Sequence, residues 1–394
     1  MCINRVLISG DKLNYKIKIN TLPALSGDCF IIEFSNGTCI MIDGGHVSTY
    51  NEISLLLKEL NNNGKELDLL IITHIDQDHI AGARKLLQEN GLYNNSNLIN
   101  IKEIWFNGLM NFLNNKGDIS SLTEDNISRI KHAIAQNKMY LSGETGDISA
   151  KEAIVFESLA KDLGYHINNS FSGSVCEAGK FINIGAINIE ILSPTTNALD
   201  SFWTYFINEL AKIDIQEKDI SSSDILIDFF NWILINTDNY NDMNIAQSIS
   251  HDIIYDISEW NRQINSSRIS PCNRASISVK ITYEDIVLIF TGDSDICDYA
   301  YNGEVNLIKL SHHGSYNNNI AIIDQLYAKH YIVSTNGGKY SLPNTSLISK
   351  ILMQPKQKNI HFNYPINKLK LLDDTEQQKK YAFTVTYGNS LLLE

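Results

Sequence analysis

The sequence has little cysteine and a shortage of positive charge. Its six cysteines among 394 residues stand far apart with no CxxC pair, so we expect buried or surface thiols and not a disulfide framework or zinc knuckle. Lys and Arg number 32 against 45 Asp and Glu, a formal charge of -13. This balance excludes a general attraction to nucleic acid or anionic membranes, so any nucleic-acid contact must be local.

Long apolar runs are also missing. The run Ile225–Ile235 contains Asp228 and falls well short of the ~20 residues that a membrane span needs. The first residues, MCINRVLISGDKL, lack the apolar core and cleavage site of a signal peptide. We therefore expect a cytoplasmic chain without a membrane segment, and its 43% hydrophobic and 20% charged residues are typical of a globular protein.

Short apolar blocks alternating with helical spacings predict a mixed α/β chain. Blocks between Tyr15 and Asp43, separated by turns such as Asn36-Gly37, predict a small antiparallel sheet. The block Leu67–Thr73 reads as a buried strand between two helices. Strands resume at FINIGAINIEILSP, ASISVKITYEDIVLIFTGD, VNLIKLSHHGS and HYIVSTNGG. We expect one domain over residues 1–394, with mainly helical insertions at 108–170 and 197–268.

The segment Thr73–Gly82 carries four potential metal ligands directly after a predicted buried strand and before a helix. His74 and Asp76 are two residues apart and can point the same way in an extended loop, whereas Asp78 and His79 follow at the turn into the helix. Imidazole suits Zn and Mn, while carboxylates favour harder ions such as Mn or Mg. The loop therefore predicts a divalent metal site, with Zn and Mn both open.

Other predicted strands end in residues of the same kind. IVLIFTGD ends at Asp293, VNLIKLSHH ends at His312 and His313, and CIMID ends at Asp43. After Asp43, two glycines allow the backbone to come close to a site. These strand ends predict a site assembled from separate parts of the chain, and the neighbouring Lys309 is expected to be ordinary surface charge.

Together these motifs resemble the metallo-β-lactamase fold hydrolases, whose signature loop is HxHxDH. The loop here has aspartate at position 76 in place of the second histidine, and with Thr291-Gly292-Asp293 and His312-His313-Gly314-Ser315 it looks most like the hydrolase domain of ComEC-type competence proteins and their stand-alone relatives. The Asn273 and Ser276 pair is also similar to a pattern in that subgroup. The resemblance, from about Ile17 to Leu352 apart from the insertions, implies a four-layer αββα sandwich of the α/β class.

The resemblance also implies two divalent metal ions, Zn or Mn, at one edge of the two sheets. His74 and Asp76 would bind one ion, and Asp78 and His79 would bind the other. The carboxylate of Asp293 would bridge both ions. The implied metal ligands are His74, Asp76, Asp78, His79, Asp293 and His312.

The implied catalytic residues are Asp78, His313 and Asp43. Whether His312 or His313 is the metal ligand stays open, the other being expected to touch the substrate. Asp43 is expected to orient a ligand histidine through a hydrogen bond. The usual third-motif histidine of the family has no evident counterpart, and Asn273 stands nearby instead.

The function that these residues imply is metal-dependent hydrolysis, in which bound metal activates water. The ComEC-like pattern favours a phosphodiesterase or nuclease that contacts nucleic acid or nucleotides locally. One alternative is hydrolysis of a small molecule, namely a cyclic nucleotide, lactone or thioester. The other is a degenerate, non-catalytic partner protein.

Overall fold

The computed structural model describes residues 15–108, 111–112, 145–212, 256–262, 269–296, 303–338 and 341–394. The strands are β1 Ile17–Thr21, β2 Phe30–Phe34, β3 Cys39–Ile42, β4 Leu69–Ile71, β5 Ile104–Trp105, β6 Phe181–Ile184, β7 Ile187–Ser193, β8 Ser278–Tyr283, β9 Ile286–Phe290, β10 Gly303–Lys309, β11 Leu326–Val333, β12 Lys358–Phe362, β13 Phe383–Tyr387 and β14 Ser390–Leu393.

Helices connect these strands. The described α-helices are α1 Tyr50–Asn62, α2 Gln77–Asn90, α3 Thr145–Asp162, α4 Thr196–Lys212, α5 Pro271–Arg274, α6 Tyr316–Gln325, α7 Thr345–Leu352 and α8 Thr375–Lys380. Short 3₁₀ turns occupy Val47–Thr49, Tyr93–Asn95, Asn169–Phe171, Ile257–Arg262, Ser311–Gly314 and Asn367–Asp373. None of the described helices is long and apolar enough to cross a membrane.

The strands form two mixed sheets. The first has the order β14-β1-β2-β3-β4-β5, and the second has the order β13-β12-β11-β10-β9-β8-β7-β6. In the first sheet, β3 and β4 are parallel, as are β9 and β10 in the second. The antiparallel sheet predicted between Tyr15 and Asp43 is present as β1, β2 and β3.

The alternation of side chains along a strand separates the core into layers. In β2, Phe30, Ile32 and Phe34 face the space between the two sheets, whereas Ile31 faces the helices on the outside. This follows from the two-residue period of a strand, which sends successive side chains to opposite faces. A third apolar cluster covers the outer face of the second sheet and includes Ile308 of β10 and Leu347 of α7. Two sheets with helices outside both confirm the predicted four-layer α/β fold.

The predicted insertions are described only in part. Helix α3 lies within 108–170 and packs on the outer face of the first sheet, where Phe156 is fully buried. Helix α4 lies at the start of 197–268 and places Phe202 and Trp203 in the same cluster. Residues 113–144 and 213–255 lie outside the described residues, so the boundaries of both insertions stay predictions.

The carboxyl ends of the parallel strands bring the predicted loops to one edge. Asp43 follows β3, Thr73–Gly82 follows β4, Asp293 follows β9, and His312 follows β10. The backbone of α2 packs directly against the backbone of the loop after β3. A Cβ added to Gly82 would lie 2.0 Å from the carbonyl oxygen of Gly44. The close approach requires glycine and holds the start of α2 against the loop that follows β3.

Candidate metal centre

Asp43 is held in a single orientation beneath the Thr73–Gly82 loop. Its Oδ1 accepts a hydrogen bond from the backbone N–H of Thr73 at 2.7 Å, and its Oδ2 accepts one from Thr73 Oγ1 at 2.8 Å. The same Oδ2 lies 2.8 Å from Nδ1 of His79. Because a carboxylate can only accept, His79 donates through Nδ1 and presents Nε2 to the centre.

Two further histidines are held through Nδ1 in the same way. Nδ1 of His313 lies 2.9 Å from the carbonyl oxygen of Ser334, which can only accept. Nδ1 of His74 lies 3.0 Å from Thr73 Oγ1, whose proton is already committed to Asp43. In its neutral form, each ring therefore carries its proton on Nδ1 and presents Nε2 as a potential metal ligand.

The Asp293 carboxylate stands among these nitrogen atoms. Its Oδ2 lies 3.5 Å from Nε2 of His79, 3.8 Å from Nε2 of His74 and 3.9 Å from Nε2 of both His312 and His313. Tetrahedral ligands with bonds of about 2.0–2.3 Å lie about 3.3–3.8 Å apart. Asp293 is therefore placed where one carboxylate could serve two ions.

The loop aspartates extend the cluster on both sides of Asp293. Asp76 Oδ2 lies 3.5 Å from Nε2 of His74, and Asp78 Oδ2 lies 3.9 Å from Nε2 of His313. Four overlapping groups of potential ligands lie among the described residues. His74, Asp76 and Cys272 form one and Asp78, His79 and His313 form another, with all ligand atoms of a group within 4.8 Å of one another. The structure thus brings the two predicted pairs of the loop together in two adjacent groups.

The donor atoms fit metal ions. Nε2 of His74 and Nε2 of His79 are buried and have no hydrogen-bond partner among the described residues. Leaving a buried polar atom unpaired is unfavourable, and coordination to a metal ion resolves it. Nitrogen, carboxylate and thiol donors at these separations suit a divalent transition metal.

The centre favours positive charge. Burial alone would lower the pKa of His79, but Asp293 and Asp43 outweigh it and hold that pKa well above its usual value. Burial alone would raise the pKa of Asp293, but His79, His312 and His313 hold it well below its usual value. The carboxylate of Asp293 therefore stays ionised and attracts positive charge, whether from these histidines or from a metal ion.

His312 and His313, between which the sequence left the choice of metal ligand open, have different surroundings. His313 is 4% exposed and belongs to the group with Asp78 and His79. The side chain of His312 is 27% exposed, and it belongs to none of the ligand groups found among the described residues. Both have positive φ, 45° for His312 and 56° for His313. From this tight turn both Nε2 atoms reach Asp293, but only the side chain of His312 stays partly exposed.

Lys309 is not the surface charge expected from sequence. It is 1% exposed and forms an ion pair with Asp28, which is fully buried, and its Nζ donates to the carbonyl oxygen of Gly292 at 3.0 Å. Burial would raise the pKa of Asp28, but Lys309 and His313 hold it well below its usual value. Asp28 Oδ1 also lies 3.5 Å from Nδ1 of His313. Sequence reasoning missed Asp28 because a Ser-Gly-Asp turn reads as ordinary hairpin punctuation.

The residues before β8 support the centre from the second sheet. Ser276 Oγ accepts a hydrogen bond from the backbone N–H of Asp293 at 3.2 Å. Asn273 is turned away to its own helix, where its Oδ1 accepts a hydrogen bond from Ser270 Oγ at 2.8 Å. The Cys272 thiol instead faces the loop, 3.2 Å from Asp76 Oδ1. The sequence interpretation, which expected the cysteines to be buried or surface thiols, missed this contact.

Residues 22–94 match the family model of the metallo-beta-lactamase superfamily. Among solved structures the chain is similar to a mutant of the CmlA beta-hydroxylase at 8% identity and a TM-score of 0.34, over 98% of this chain and 55% of that one. It is similar to a long-form RNase Z from yeast at 9% identity and a TM-score of 0.34, over 96% of this chain and 44% of that one. The chain therefore spans about half the length of these two proteins. No curated protein matches it.

Proposed function

We propose that the chain, which carries a metallo-β-lactamase superfamily domain at residues 22–94, is a metal-dependent phosphodiesterase or nuclease. The observation that carries the proposal is the placement of Asp293 Oδ2 within 3.5 to 3.9 Å of the inward Nε2 atoms of His79, His74 and His313. Two divalent ions held there would supply an activated water and neutralise an anionic substrate.

The chain's own residues prepare the centre for this chemistry. Asp43 and the Ser334 carbonyl fix the rings of His79 and His313, so that their Nε2 atoms are positioned before a ligand arrives. This preorganisation is needed because catalysis depends on groups that do not reorganise during the reaction. His312, whose side chain is partly exposed, is proposed to contact the substrate.

The phosphodiester assignment rests on the sequence pattern. The loop from His74 to His79, with aspartate at position 76, resembles that of the ComEC-type proteins, as does the Thr291–Asp293 motif. A formal charge of -13 opposes long-range binding of polyanions. Short or single-stranded substrates, gripped locally at the centre, therefore fit the chain better than long duplex DNA.

The test is cleavage of labelled single-stranded DNA, duplex DNA and RNA with added Mn²⁺, Mg²⁺ or Zn²⁺. We expect metal-dependent cleavage that is lost in the Asp78→Ala, His79→Ala double variant. A matched control is Asp162→Ala, His166→Ala, which removes an exposed aspartate and histidine elsewhere in the chain and should leave cleavage unchanged.

Metal content measured on the same samples separates the alternatives. Wild-type protein that holds metal but cleaves no nucleic acid would contradict the nuclease proposal, and a panel of cyclic nucleotides, lactones and thioesters would then test hydrolysis of small molecules. Wild-type protein that binds none of the three metals would support the non-catalytic alternative. Cleavage that survives in the double variant would place the chemistry elsewhere.

A further inference from the structure

Cys272 lies in the short helix α5, shortly before strand β8 of the second sheet, and its side chain points at the Thr73–Gly82 loop. The residue is 3% exposed. Ser270 caps the helix by accepting from the backbone N–H of Asn273, and Pro271 occupies the first turn. The position of the thiol is therefore set by a rigid local structure.

The thiol faces two donor side chains of the candidate metal centre. The thiol donates a hydrogen bond to Asp76 Oδ1 at 3.2 Å, and this proton is released to solvent when the sulfur binds a metal ion. The other carboxylate oxygen of Asp76 lies 3.5 Å from Nε2 of His74. That Nε2 is buried, with its side chain 2% exposed, and has no hydrogen-bond partner among the described residues. Three different side chains thus direct one donor atom each into the same small space.

The predicted residues offer this ion His74, Asp76 and the shared carboxylate of Asp293, and no third-motif histidine adds to them. Asn273, which stands nearest to the missing third-motif histidine, has its side-chain oxygen engaged by Ser270. Cys272, the residue before Asn273, is the one whose side chain faces the Thr73–Gly82 loop. A thiolate with a bond of about 2.3 Å and an imidazole with one of about 2.0 Å are the usual partners of Zn²⁺.

We propose that Cys272 is a thiolate ligand of the ion held by His74 and Asp76, with Asp293 as the shared carboxylate, and that this ligand makes the first site selective for Zn²⁺ over Mn²⁺ and Mg²⁺. Soft sulfur donors favour Zn²⁺, whereas carboxylates alone favour the harder ions. The inference shares its metal centre with the proposed function, but its test measures ligation and not cleavage.

The test begins with the full chain stripped of metal by a chelator and then titrated with Co²⁺. Wild-type protein is expected to show a near-ultraviolet sulfur-to-cobalt charge-transfer band, which Cys272→Ser loses. The matched control is Cys176→Ser, since Cys176 is buried, lies 3.4 Å from Asn168 Oδ1 and belongs to none of the ligand groups found in the described part of the chain. Its band should equal that of wild type.

Affinity and X-ray absorption provide independent readouts. Cys272→Ser should bind Zn²⁺ at least about 10-fold more weakly, as expected when a site loses a ligand or its support, and should change its Mn²⁺ affinity less. Absorption fine structure of the wild type loaded with Zn²⁺ should show sulfur at about 2.3 Å. This second measurement needs no variant and stands even if Cys272→Ser folds poorly.

The outcomes separate this inference from the proposed function. A charge-transfer band that persists in Cys272→Ser, or a zinc site with only nitrogen and oxygen neighbours, overturns ligation by Cys272 while leaving metal-dependent cleavage intact. A band that depends on Cys272 in a protein that cleaves no phosphodiester supports the ligand and rejects the nuclease.

Discussion

Asp43 accepts a hydrogen bond from Nδ1 of His79 at 2.8 Å, and both side chains are essentially excluded from solvent. Asp43 adopts φ 58°, a left-handed conformation that few residues other than glycine take up. Backbone strain of this kind persists where the surrounding structure imposes it, and here it directs a carboxylate at the ring that carries a predicted ligand.

Asp43→Asn is expected to weaken metal binding by about 10–100-fold, because the amide can present its NH₂ group where His79 requires an acceptor. Metal affinity of the stripped protein is the measurement. A suitable control is Asp68→Asn, since Asp68 also accepts from a backbone N–H, that of Cys39 at 2.9 Å, but lies away from the centre. Equal losses in both variants would show that Asp43 acts only on the fold.

His313→Ala and His312→Ala are expected to have different effects. His313 lies in a buried ligand group, so its loss should lower the amount of bound metal. The side chain of His312 is 27% exposed. Its loss should therefore leave the metal content unchanged and lower kcat on the substrate that the wild-type protein hydrolyses. Metal analysis with steady-state kinetics on both variants is the check. The reverse pattern would contradict a ligand role for His313 and favour His312.

Lys309→Met is expected to lower the free energy of unfolding by about 3–5 kcal/mol, because it leaves the buried carboxylate of Asp28 without its cation. Adding Asp28→Asn should recover much of this loss. Denaturant unfolding measures both. Lys102→Met is the exposed counterpart, since Lys102 pairs with Asp68 at 2.7 Å with its side chain 48% exposed, and it should change stability by under about 1 kcal/mol. Similar losses at both lysines would contradict the role of burial.

Gly82→Ala is expected to destabilise the protein by about 1–3 kcal/mol or more, and to reduce metal binding, because its Cβ would lie 2.0 Å from the carbonyl oxygen of Gly44. Gly338→Ala is the control, since its Cβ would meet only the exposed side chain of Asn336 at 3.2 Å. The free energy of unfolding and the metal affinity of both variants are the measurements that test this prediction. A Gly82→Ala protein with normal metal affinity would show that the loop tolerates displacement.

The sequence by itself determined the local structure and the general chemistry. Apolar periodicity predicted the block that contains β4, the helix after it and the strands from β6 to β11 of the second sheet. Burial of one face of an element imposes a repeat of apolar residues along the sequence. The Thr73–Gly82 loop was recognisable since its ligand-type residues are neighbours along the chain. The last three strands were not predicted, and β14 pairs with β1 from the other end of the described chain.

Only the tertiary structure decided which distant side chains meet. Lys309 was predicted to be surface charge, but the packing of β10 places it against Asp28. The cysteines were predicted to be buried or surface thiols, but α5 places the sulfur of Cys272 3.2 Å from Asp76. The different exposure of His312 and His313 accompanies two consecutive left-handed residues, a backbone geometry that the dipeptide alone does not prescribe. In each case the physical reason is the same: contacts between separate elements arise from how the sheets and loops pack, and no local pattern encodes them.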